Sequence, residues 1–279
     1  MAKSYREVLQ WASSFLEAKG IEGHAIEYVF LARMGWNKTQ WLLHMNEPIT
    51  KFWQDQIEAD VNQLAAHYPP QYLLGFEEFY GYRFKVSEAT LIPRPETEEL
   101  VEKCLALTSA CSTKPLKVID IGTGTGAIAI TLKKERPDWQ VAAVDLSKEA
   151  LAVAKENAQF HQVALNFYHG DCLTDLNEQF DLILSNPPYI SADEWALMDQ
   201  SVREYEPKLA LFAENQGLAI YQKIAEQAKT RLAPQGKIFL EIGFQQGQAV
   251  TEIFQAAFPE KQVTVHQDLA GQDRLVVVV

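Results

Sequence analysis

The four residues 186–189, Asn-Pro-Pro-Tyr, are the part of the sequence that most clearly indicates chemistry. Proline has no N–H group and a fixed φ, so this segment cannot continue a helix or lie in a central strand. The side-chain oxygen of Asn186 and the carbonyl oxygen of Pro187 are two hydrogen-bond acceptors on a stiff backbone. Two such acceptors can hold the N–H groups of a planar amide or of an aromatic amine.

A nitrogen of that kind is a poor nucleophile because its lone pair is delocalised. Fixed acceptors orient its N–H groups and localise the lone pair, and the rigidity of Pro187 and Pro188 leaves little ordering entropy to be lost on binding. Tyr189 offers a flat face on which a planar group can stack. With an activated methyl carbon about 3 Å away, transfer then depends mostly on positioning. The alternative interpretation is a rigid turn that only ends a strand.

A second group of residues lies between a predicted strand and a predicted helix, and consists of Gly122, Thr123, Gly124, Thr125 and Gly126. Glycines there permit positive φ, and the helix that follows offers free N–H groups to a ligand. Asp145 follows the next strand, about 20 residues after Gly126, where a carboxylate can accept both hydroxyls of a ribose. Gly122, Gly124 and Ala127 also satisfy the dinucleotide fingerprint, so this loop alone does not separate a nicotinamide cofactor from S-adenosylmethionine. A turn that only packs a helix onto a strand is the third interpretation.

Both segments must be positioned by the elements around them, and from residue 114 onward apolar strands alternate with helical segments. The predicted strands are LKVIDI, QVAAVD, ALNFYH, FDLILS and KIFLEIG, followed by two strands around a turn in the C-terminal segment. Near-continuous apolar runs of this kind are typical of buried parallel strands. We therefore expect an α/β domain with a doubly wound, mostly parallel, seven-stranded sheet. Because ligands bind beyond the carboxyl ends of such strands, the glycine loop and Asn186 should lie at the same edge.

The N-terminal part of the chain, residues 1–75, is predicted to form a small helical bundle. Its first helix shows an apolar stripe at spacings of three and four, which predicts burial of Val8, Trp11, Phe15 and Ala18. A second helix is expected to end near Gly35. A third begins with Thr50 as its N-cap and is stopped by Pro69 and Pro70.

Residues 76–92 connect the two parts of the chain. They are rich in aromatic residues around Gly81, which predicts a β-hairpin linker. Residues 93–279 then form the α/β domain. Pro95 suits the first turn of a helix at its start, and the acidic residues after it favour the positive end of that helix.

Composition and charge argue against several classes of function. The chain has 25 lysine and arginine residues against 37 aspartate and glutamate residues, a formal net charge of −12, which argues against broad nucleic-acid binding because that requires a basic surface. No segment approaches the roughly 18 apolar residues of a membrane helix, and the N-terminus does not have the pattern of a signal peptide. Cys104, Cys111 and Cys172 fit no zinc pattern, so we expect reduced thiols, no metal site and a cytoplasmic protein.

Five segments together resemble the bacterial release-factor glutamine methyltransferases: LIPRPETEELVE, IDIGTGTG, FDLILSNPPYI, EIGFQQ and GQDRLVVV. The resemblance spans nearly the whole chain. NPPY alone is shared with DNA adenine methyltransferases, whereas its combination with IPRPETE is much more specific to this family. The resemblance implies a Rossmann-like methyltransferase domain and a helical N-terminal domain that docks the protein substrate. It also implies methyl transfer from S-adenosylmethionine to the side-chain amide nitrogen (N5) of the glutamine in the Gly-Gly-Gln motif of peptide chain release factors.

The resemblance also implies roles for individual residues. The residues implied in binding S-adenosylmethionine are Gly122, Thr123, Gly124, Thr125, Gly126, Asp145, Asp171, Cys172 and Asn186. Those implied in binding the glutamine amide are Asn186, Pro187, Pro188 and Tyr189, of which Asn186, Pro187 and Tyr189 are implied in catalysis. Arg94 and Glu96 have two open interpretations: they close over the methionine part of the donor, or they are charges at the start of a helix.

Three alternative functions would use part of these features. An adenine-amino DNA methyltransferase would share the four residues 186–189, but it should carry a target-recognition domain and a basic face for a flipped base. A nicotinamide-dependent reductase would use the glycine loop and leave Asn-Pro-Pro-Tyr without a role. A nucleotide-sensing module without turnover would need neither Asn186 nor Tyr189. The methyltransferase interpretation therefore uses the most features.

Overall fold

The computed structural model describes residues 3–108 and 115–279, so Cys111 lies outside the described residues. The chain divides into two compact units. The first comprises Met1–Phe76 with Asp199–Tyr205, and the second comprises Glu77–Met198 with Glu206–Val279. No helix among the described residues is both long and apolar enough to cross a membrane.

The first unit is helical, as the sequence predicts. Its helices are α1 (Tyr5–Glu17), α2 (His24–Met34), α3 (Lys38–His44), α4 (Lys51–Leu64) and α5 (Pro70–Leu74), joined by α10 (Gln200–Tyr205) from later in the chain. The predicted cap is confirmed, because the Thr50 hydroxyl accepts a hydrogen bond from the Trp53 N–H group. The prolines act differently from the prediction. Helix α4 already ends at Leu64, and Pro70 starts a new short helix because its missing N–H group costs nothing in a first turn.

The buried face of α1 differs from the prediction. The residues it buries are Tyr5, Val8, Leu9, Ala12 and Leu16. Of the predicted stripe only Val8 is buried: Trp11 and Phe15 are 46% and 37% exposed, and Ala18 is also exposed. Two apolar stripes with helical spacing run along this helix. The aliphatic one packs into the bundle, while the rings of Trp11 and Phe15 stack on each other outside it, at 6.1 Å between centroids.

The predicted hairpin is confirmed. Strands β1 (Phe76–Phe79) and β2 (Tyr82–Lys85) pair, and the two residues between them, Tyr80 and Gly81, both have positive φ. That turn matches the right-handed twist of the flanking strands. The helix that Pro95 was expected to start is α6 (Pro95–Thr108).

The second unit is built around one seven-stranded sheet with the order β5-β4-β3-β6-β7-β9-β8. Its strands are β3 (Lys117–Ile121), β4 (Gln140–Asp145), β5 (Asn166–His169), β6 (Phe180–Ser185), β7 (Leu232–Glu241), β8 (Val263–Gln267) and β9 (Asp273–Val278). Strands β3 to β7 pair in parallel, whereas β9 pairs antiparallel with both β7 and β8. This confirms the predicted mostly parallel sheet.

Helices cover both faces of the sheet. They are α6, α7 (Ala127–Glu135), α8 (Lys148–Phe160), α11 (Ala219–Arg231) and α12 (Gly247–Ala257), with the short α9 (Ala192–Trp195) and a 3-10 turn at Lys208–Ala210 in the connections. Along β7, Ile238 and Leu240 belong to the core on one face, while Phe239 belongs to the core on the other. Because both faces are filled, the carboxyl edge of the parallel strands is where a ligand can reach the backbone.

Candidate active site

The glycine loop joins β3 to α7. The Gly122 and Thr123 N–H groups donate to the Val144 carbonyl oxygen at 2.9 and 3.1 Å, which fixes the loop against the end of β4. Gly126 has a φ of 82°, and a Cβ there would lie 2.9 Å from Ile130 Cδ1 and 3.3 Å from Ala154 Cβ. Only glycine therefore allows this close packing of the loop on α7 and α8.

Asp145, the last residue of β4, is held by two backbone donors. Its Oδ2 accepts from the Gly124 N–H group at 2.9 Å, and its Oδ1 accepts from the Ser147 N–H group at 2.8 Å. Burial raises the pKa of Asp145 above its usual value, and the hydrogen bonds from these N–H groups offset only part of that increase. Each oxygen keeps a further lone pair, so the carboxylate can still accept two hydroxyl groups.

Asn186 is the first residue after β6 and lies next to the glycine loop. Ser185 at the end of β6 lies opposite Ile121 at the end of β3, and the Ser185 hydroxyl donates to the Ile121 carbonyl oxygen at 2.7 Å. Gly122 and Asn186 are the residues that follow this pair. The parallel register therefore places the loop and the Asn-Pro-Pro-Tyr segment side by side, as expected from the sequence.

The Asn186 side chain belongs to a buried hydrogen-bond chain. Its Nδ2 donates to Thr97 Oγ1 at 3.0 Å, and Thr97 Oγ1 donates to Glu241 Oε2 at 2.6 Å. Burial raises the pKa of Glu241 to about 7. Because the nitrogen of the Asn186 amide is engaged with Thr97, its oxygen remains available as an acceptor.

Tyr189 packs into the protein instead of standing at the cavity wall. Its hydroxyl lies 3.5 Å from Glu241 Oε1, and its carbonyl oxygen accepts from Gln246 Nε2 at 3.1 Å. A Cβ on Gly243 would lie 3.4 Å from the Tyr189 ring. Burial raises the pKa of the Tyr189 hydroxyl, and the nearby Glu241 carboxylate raises it further. The hydroxyl therefore stays protonated.

One cavity at the carboxyl edge brings most of the predicted residues together. Its wall includes Gly122, Gly124, Asp145, Asp171, Cys172, Asn186, Pro187 and Pro188. Four other predicted residues, all in the described part of the chain, lie outside this wall: Thr123, Thr125, Gly126 and Tyr189. The two threonines support the loop from beneath. Thr123 Oγ1 donates to Asp120 Oδ2 at 2.6 Å, and the Thr125 carbonyl oxygen accepts from Asn157 Nδ2 at 2.9 Å.

Asp171 and Cys172 form the wall of this cavity after β5. Asp171 Oδ2 accepts from Lys223 Nζ at 2.7 Å, and the N–H group of Leu173, two residues further on, donates to Gln227 Oε1 at 2.6 Å. Cys172 has a φ of 55° and is buried, and this burial raises the pKa of its thiol to about 12. Helix α11 thus holds the backbone of this segment in place.

Another part of the cavity wall was not predicted from the sequence. It includes Thr90, Leu91, Pro207 and Leu209. Glu206, whose side chain is 2% exposed, accepts from the Ile92 N–H group at 3.1 Å and forms an ion pair with Arg94. Arg94 therefore ties the segment before α6 to residues 206–210, both of which flank the cavity. The motif RPETE drew attention to Arg94, but no sequence signal pairs it with a residue 112 positions away.

Solved structures of other proteins share this fold. A methyltransferase from Pyrococcus furiosus matches with a TM-score of 0.53 at 16% identity, covering 80% of this chain and 96% of that one. The Thermus thermophilus 16S rRNA N2 G1207 methyltransferase, solved in complex with AdoMet and guanosine, matches with a TM-score of 0.51 at 16% identity over 73% of this chain and 49% of that one. A family model described as the methyltransferase small domain matches residues 102–208. The fold and the site thus define a Rossmann-like methyltransferase.

Sequence relatives narrow this class. A protein of Enterococcus faecalis is 59% identical over 99% of both chains, and one of Lactococcus lactis is 52% identical over 91% of this chain and 93% of that one. Both are named release factor glutamine methyltransferase, and a family model described as the PrmC N-terminal domain matches residues 7–75. The chain belongs to the release factor glutamine methyltransferase family. This membership disfavours the adenine-amino DNA methyltransferase and the two remaining alternatives.

Proposed function

We propose that this protein transfers a methyl group from S-adenosylmethionine to the side-chain amide nitrogen (N5) of the glutamine in the Gly-Gly-Gln motif of peptide chain release factors. The relatives at 59% and 52% identity, with their name, support the acceptor. The observation that carries the chemistry is the Asn186 side chain. Its nitrogen is engaged with Thr97, so its oxygen is left to accept an N–H group at the wall of the cavity.

The residues around the cavity fit the methyl donor. A Cβ added to Gly122 or to Gly124 would meet no atom of the described chain within 4 Å, so the backbone here faces open space that a ligand can occupy. Asp145 would accept the two ribose hydroxyls, and Asp171 and Cys172 would line the adenine side. When bound, S-adenosylmethionine supplies an electrophilic methyl carbon on a sulfonium.

The protein's own contribution is to position the acceptor. Asn186 Oδ1 and the Pro187 carbonyl oxygen would each accept one N–H group of the glutamine amide, which directs the nitrogen lone pair toward the methyl carbon. Pro187 and Pro188 keep these two oxygens in place. The nitrogen–carbon bond forms as the carbon–sulfur bond breaks, and the methylated nitrogen then releases one proton to solvent. No buried base is needed for that step, because the cationic amide is strongly acidic.

The helical unit is proposed to dock the release factor. Three large apolar side chains on it, Leu42, Leu43 and Phe52, are each more than 60% exposed. Exposed large apolar side chains are a feature of protein-binding surfaces. A substrate that acts on ribosomes also agrees with a cytoplasmic protein.

Incubation with labelled S-adenosylmethionine tests the proposal. Three acceptors are compared: a purified release factor, the same factor with alanine in place of the motif glutamine, and duplex DNA. We expect label on the unaltered release factor alone. Label on DNA, or equal label on the factor that lacks the glutamine, would overturn the proposed acceptor.

A further inference from the structure

A chain of buried polar groups reaches the Asn186 side chain from three different elements. Thr97 belongs to the first turn of α6, Glu241 is the last residue of β7, and Asn186 follows β6. Thr97 is 5% exposed and Glu241 is 2% exposed. A buried carboxylate is costly unless it is hydrogen-bonded, so its position directly behind a site residue calls for an explanation.

The direction of each hydrogen bond in this chain follows from its chemistry. An ionised carboxylate only accepts, so at 2.6 Å the Thr97 hydroxyl must donate to Glu241 Oε2. Its oxygen is then free only to accept, and the group 3.0 Å away must be the Asn186 Nδ2 donor. The opposite orientation of the Asn186 amide would place two acceptor oxygens against each other. The carboxylate thus dictates, through one hydroxyl, that Asn186 Oδ1 faces away from Thr97.

From this geometry we infer that Thr97 and Glu241 are positioning residues, which act through Asn186 by holding its amide in the orientation that presents Oδ1 to the methyl acceptor. The inference rests on the proposed function for the identity of that acceptor. The orientation of the Asn186 side chain itself is a property of the protein alone. It can therefore be measured without any acceptor.

The charged and titratable groups around Glu241 determine the pH range in which its carboxylate is ionised and fixes the orientation of Asn186. Arg274 on β9 and the Thr97 and Tyr189 hydroxyls favour the ionised carboxylate, whereas burial and Glu96 on α6 oppose it. The Tyr221 hydroxyl on α11 donates to the Glu241 backbone oxygen and not to its carboxylate. Burial dominates and raises the pKa of Glu241 to about 7. Below that pH the protonated carboxyl can itself donate to Thr97, and the orientation of Asn186 is no longer dictated.

Substitutions at Thr97 separate positioning from simple packing. Thr97→Val keeps the shape and removes the hydroxyl, while Thr97→Ser keeps the hydroxyl. The matched control is Thr131→Val in α7, since the fully buried Thr131 hydroxyl has no hydrogen-bond partner among the described residues. We expect Thr97→Val to lower kcat about tenfold or more, with the Kd for S-adenosylmethionine unchanged within about twofold, and Thr97→Ser to restore most of the rate. An unchanged kcat in Thr97→Val, or equal losses of kcat and donor binding, would overturn the inference.

A second measurement needs no methyl acceptor. In the full-length ¹⁵N-labelled protein, the Asn186 side-chain amide signals, assigned by their loss in Asn186→Ala, are followed from pH 5 to about pH 9. We expect them to titrate with an apparent pKa near 7 in the wild type and to stay constant in Glu241→Gln. Signals that do not titrate in the wild type, or that titrate alike in both proteins, contradict the inference. If instead these signals behave as expected while release factors remain unmethylated, only the proposed function fails.

Discussion

Ile121 and Ser185 lie opposite each other at the ends of β3 and β6, and the Ser185 hydroxyl donates a 2.7 Å hydrogen bond to the Ile121 carbonyl oxygen. In the sheet order, β4 and β5 lie on one side of β3, while β6 and β7 lie on the other. The chain therefore leaves the sheet at adjacent points on either side of the topological switch, where open α/β sheets bind ligands. The proposed donor loop begins at Gly122 and the proposed acceptor segment at Asn186, so this one pairing makes donor and acceptor neighbours.

Replacement of Asn186 should separate donor binding from transfer. We expect Asn186→Ala to bind S-adenosylmethionine nearly as well as the wild type, while turnover of a release factor falls by roughly 10² or more, as when a positioned polar group is lost. Calorimetry gives the Kd and single-turnover kinetics give the rate. Asn177→Ala, at an exposed position between β5 and β6, serves as the control and should match the wild type. A loss of donor affinity as large as the loss of rate would show that Asn186 does not act by positioning the methyl acceptor.

Asp145 should control donor affinity. Its two oxygens are each held by one backbone N–H group, and their remaining lone pairs are proposed to accept the ribose hydroxyls. Asp145→Asn replaces one acceptor with a donor, so we expect the Kd for S-adenosylmethionine to rise about tenfold or more, a loss of roughly 1.4 kcal/mol per factor of ten. Asp138→Asn on the surface is the matched control. Equal affinities of both variants would refute this assignment.

The same carboxylate predicts a pH dependence of donor binding. Burial raises the pKa of Asp145 above its usual value, and only the ionised form accepts two hydroxyls. Donor affinity should therefore be complete above the raised pKa and decline as the pH falls through it. Titration calorimetry from pH 8 downward measures this, and Asp145→Asn should lose the Asp145 contribution to that dependence. A variant whose affinity declines as steeply as that of the wild type would show that another group is responsible.

The ion pair between Arg94 and Glu206 should stabilise the walls of the cavity. The side chain of Glu206 is 2% exposed and that of Arg94 is 34% exposed, so removal of the arginine leaves a carboxylate buried without its partner. We expect Arg94→Ala to lower the free energy of unfolding of its unit by about 3 kcal/mol, the lower end of the range for breaking a buried pair. Chemical denaturation of the full chain measures this.

The control for this prediction is an exposed pair. Lys51 and Asp55 form an ion pair in α4 whose side chains are 77% and 54% exposed. Lys51→Ala should change the unfolding midpoint little, because water and salt screen such pairs. If Arg94→Ala also left the free energy of unfolding unchanged, the ion pair with Glu206 would not contribute to stability.

Asp120 and Glu241 should make the protein less stable as the pH rises. Burial raises the pKa of each to about 7, so the folded state holds protons that the unfolded state has already lost. Between about pH 4 and pH 7 the folded state then binds more protons, and its stability falls with increasing pH. Asp120→Asn should therefore gain stability relative to the wild type at pH 8 compared with pH 5. Thermal unfolding at the two pH values measures this difference, and an offset that is the same at both would contradict the assignment.

Local signals were sufficient to predict the alternation of strands with helices and the meeting of the glycine loop with Asn186 at one edge of the sheet. Apolar runs, the glycines around Gly124 and the prolines after Asn186 each constrain their own segment, and the carboxyl-end rule then brings the segments together. The buried face of α1 could not be predicted in this way. Its two apolar stripes have the same period, and only packing against other helices selects the one with Leu16 over the one with Trp11.

The hydrogen-bond and ion-pair partners of the site residues could not be predicted from the sequence either. Glu206 and Arg94 are far apart along the chain, and so are Thr97 and Asn186. Such pairs become neighbours only once the sheet has formed. Glu241 is the clearest case: it is the last residue of a strand, and only the folded sheet brings it within hydrogen-bond distance of Thr97.

The central claim is that Asn186 Oδ1 and the Pro187 carbonyl oxygen hold a glutamine side-chain amide against the methyl donor. A crystal structure of the protein with S-adenosylhomocysteine and a peptide that contains Gly-Gly-Gln tests it most directly. We expect both oxygens to lie within hydrogen-bond distance, about 3 Å, of the glutamine nitrogen, and this nitrogen to point at the sulfur of S-adenosylhomocysteine. A peptide whose glutamine lies elsewhere, with Asn186 Oδ1 turned away from the donor, would contradict it.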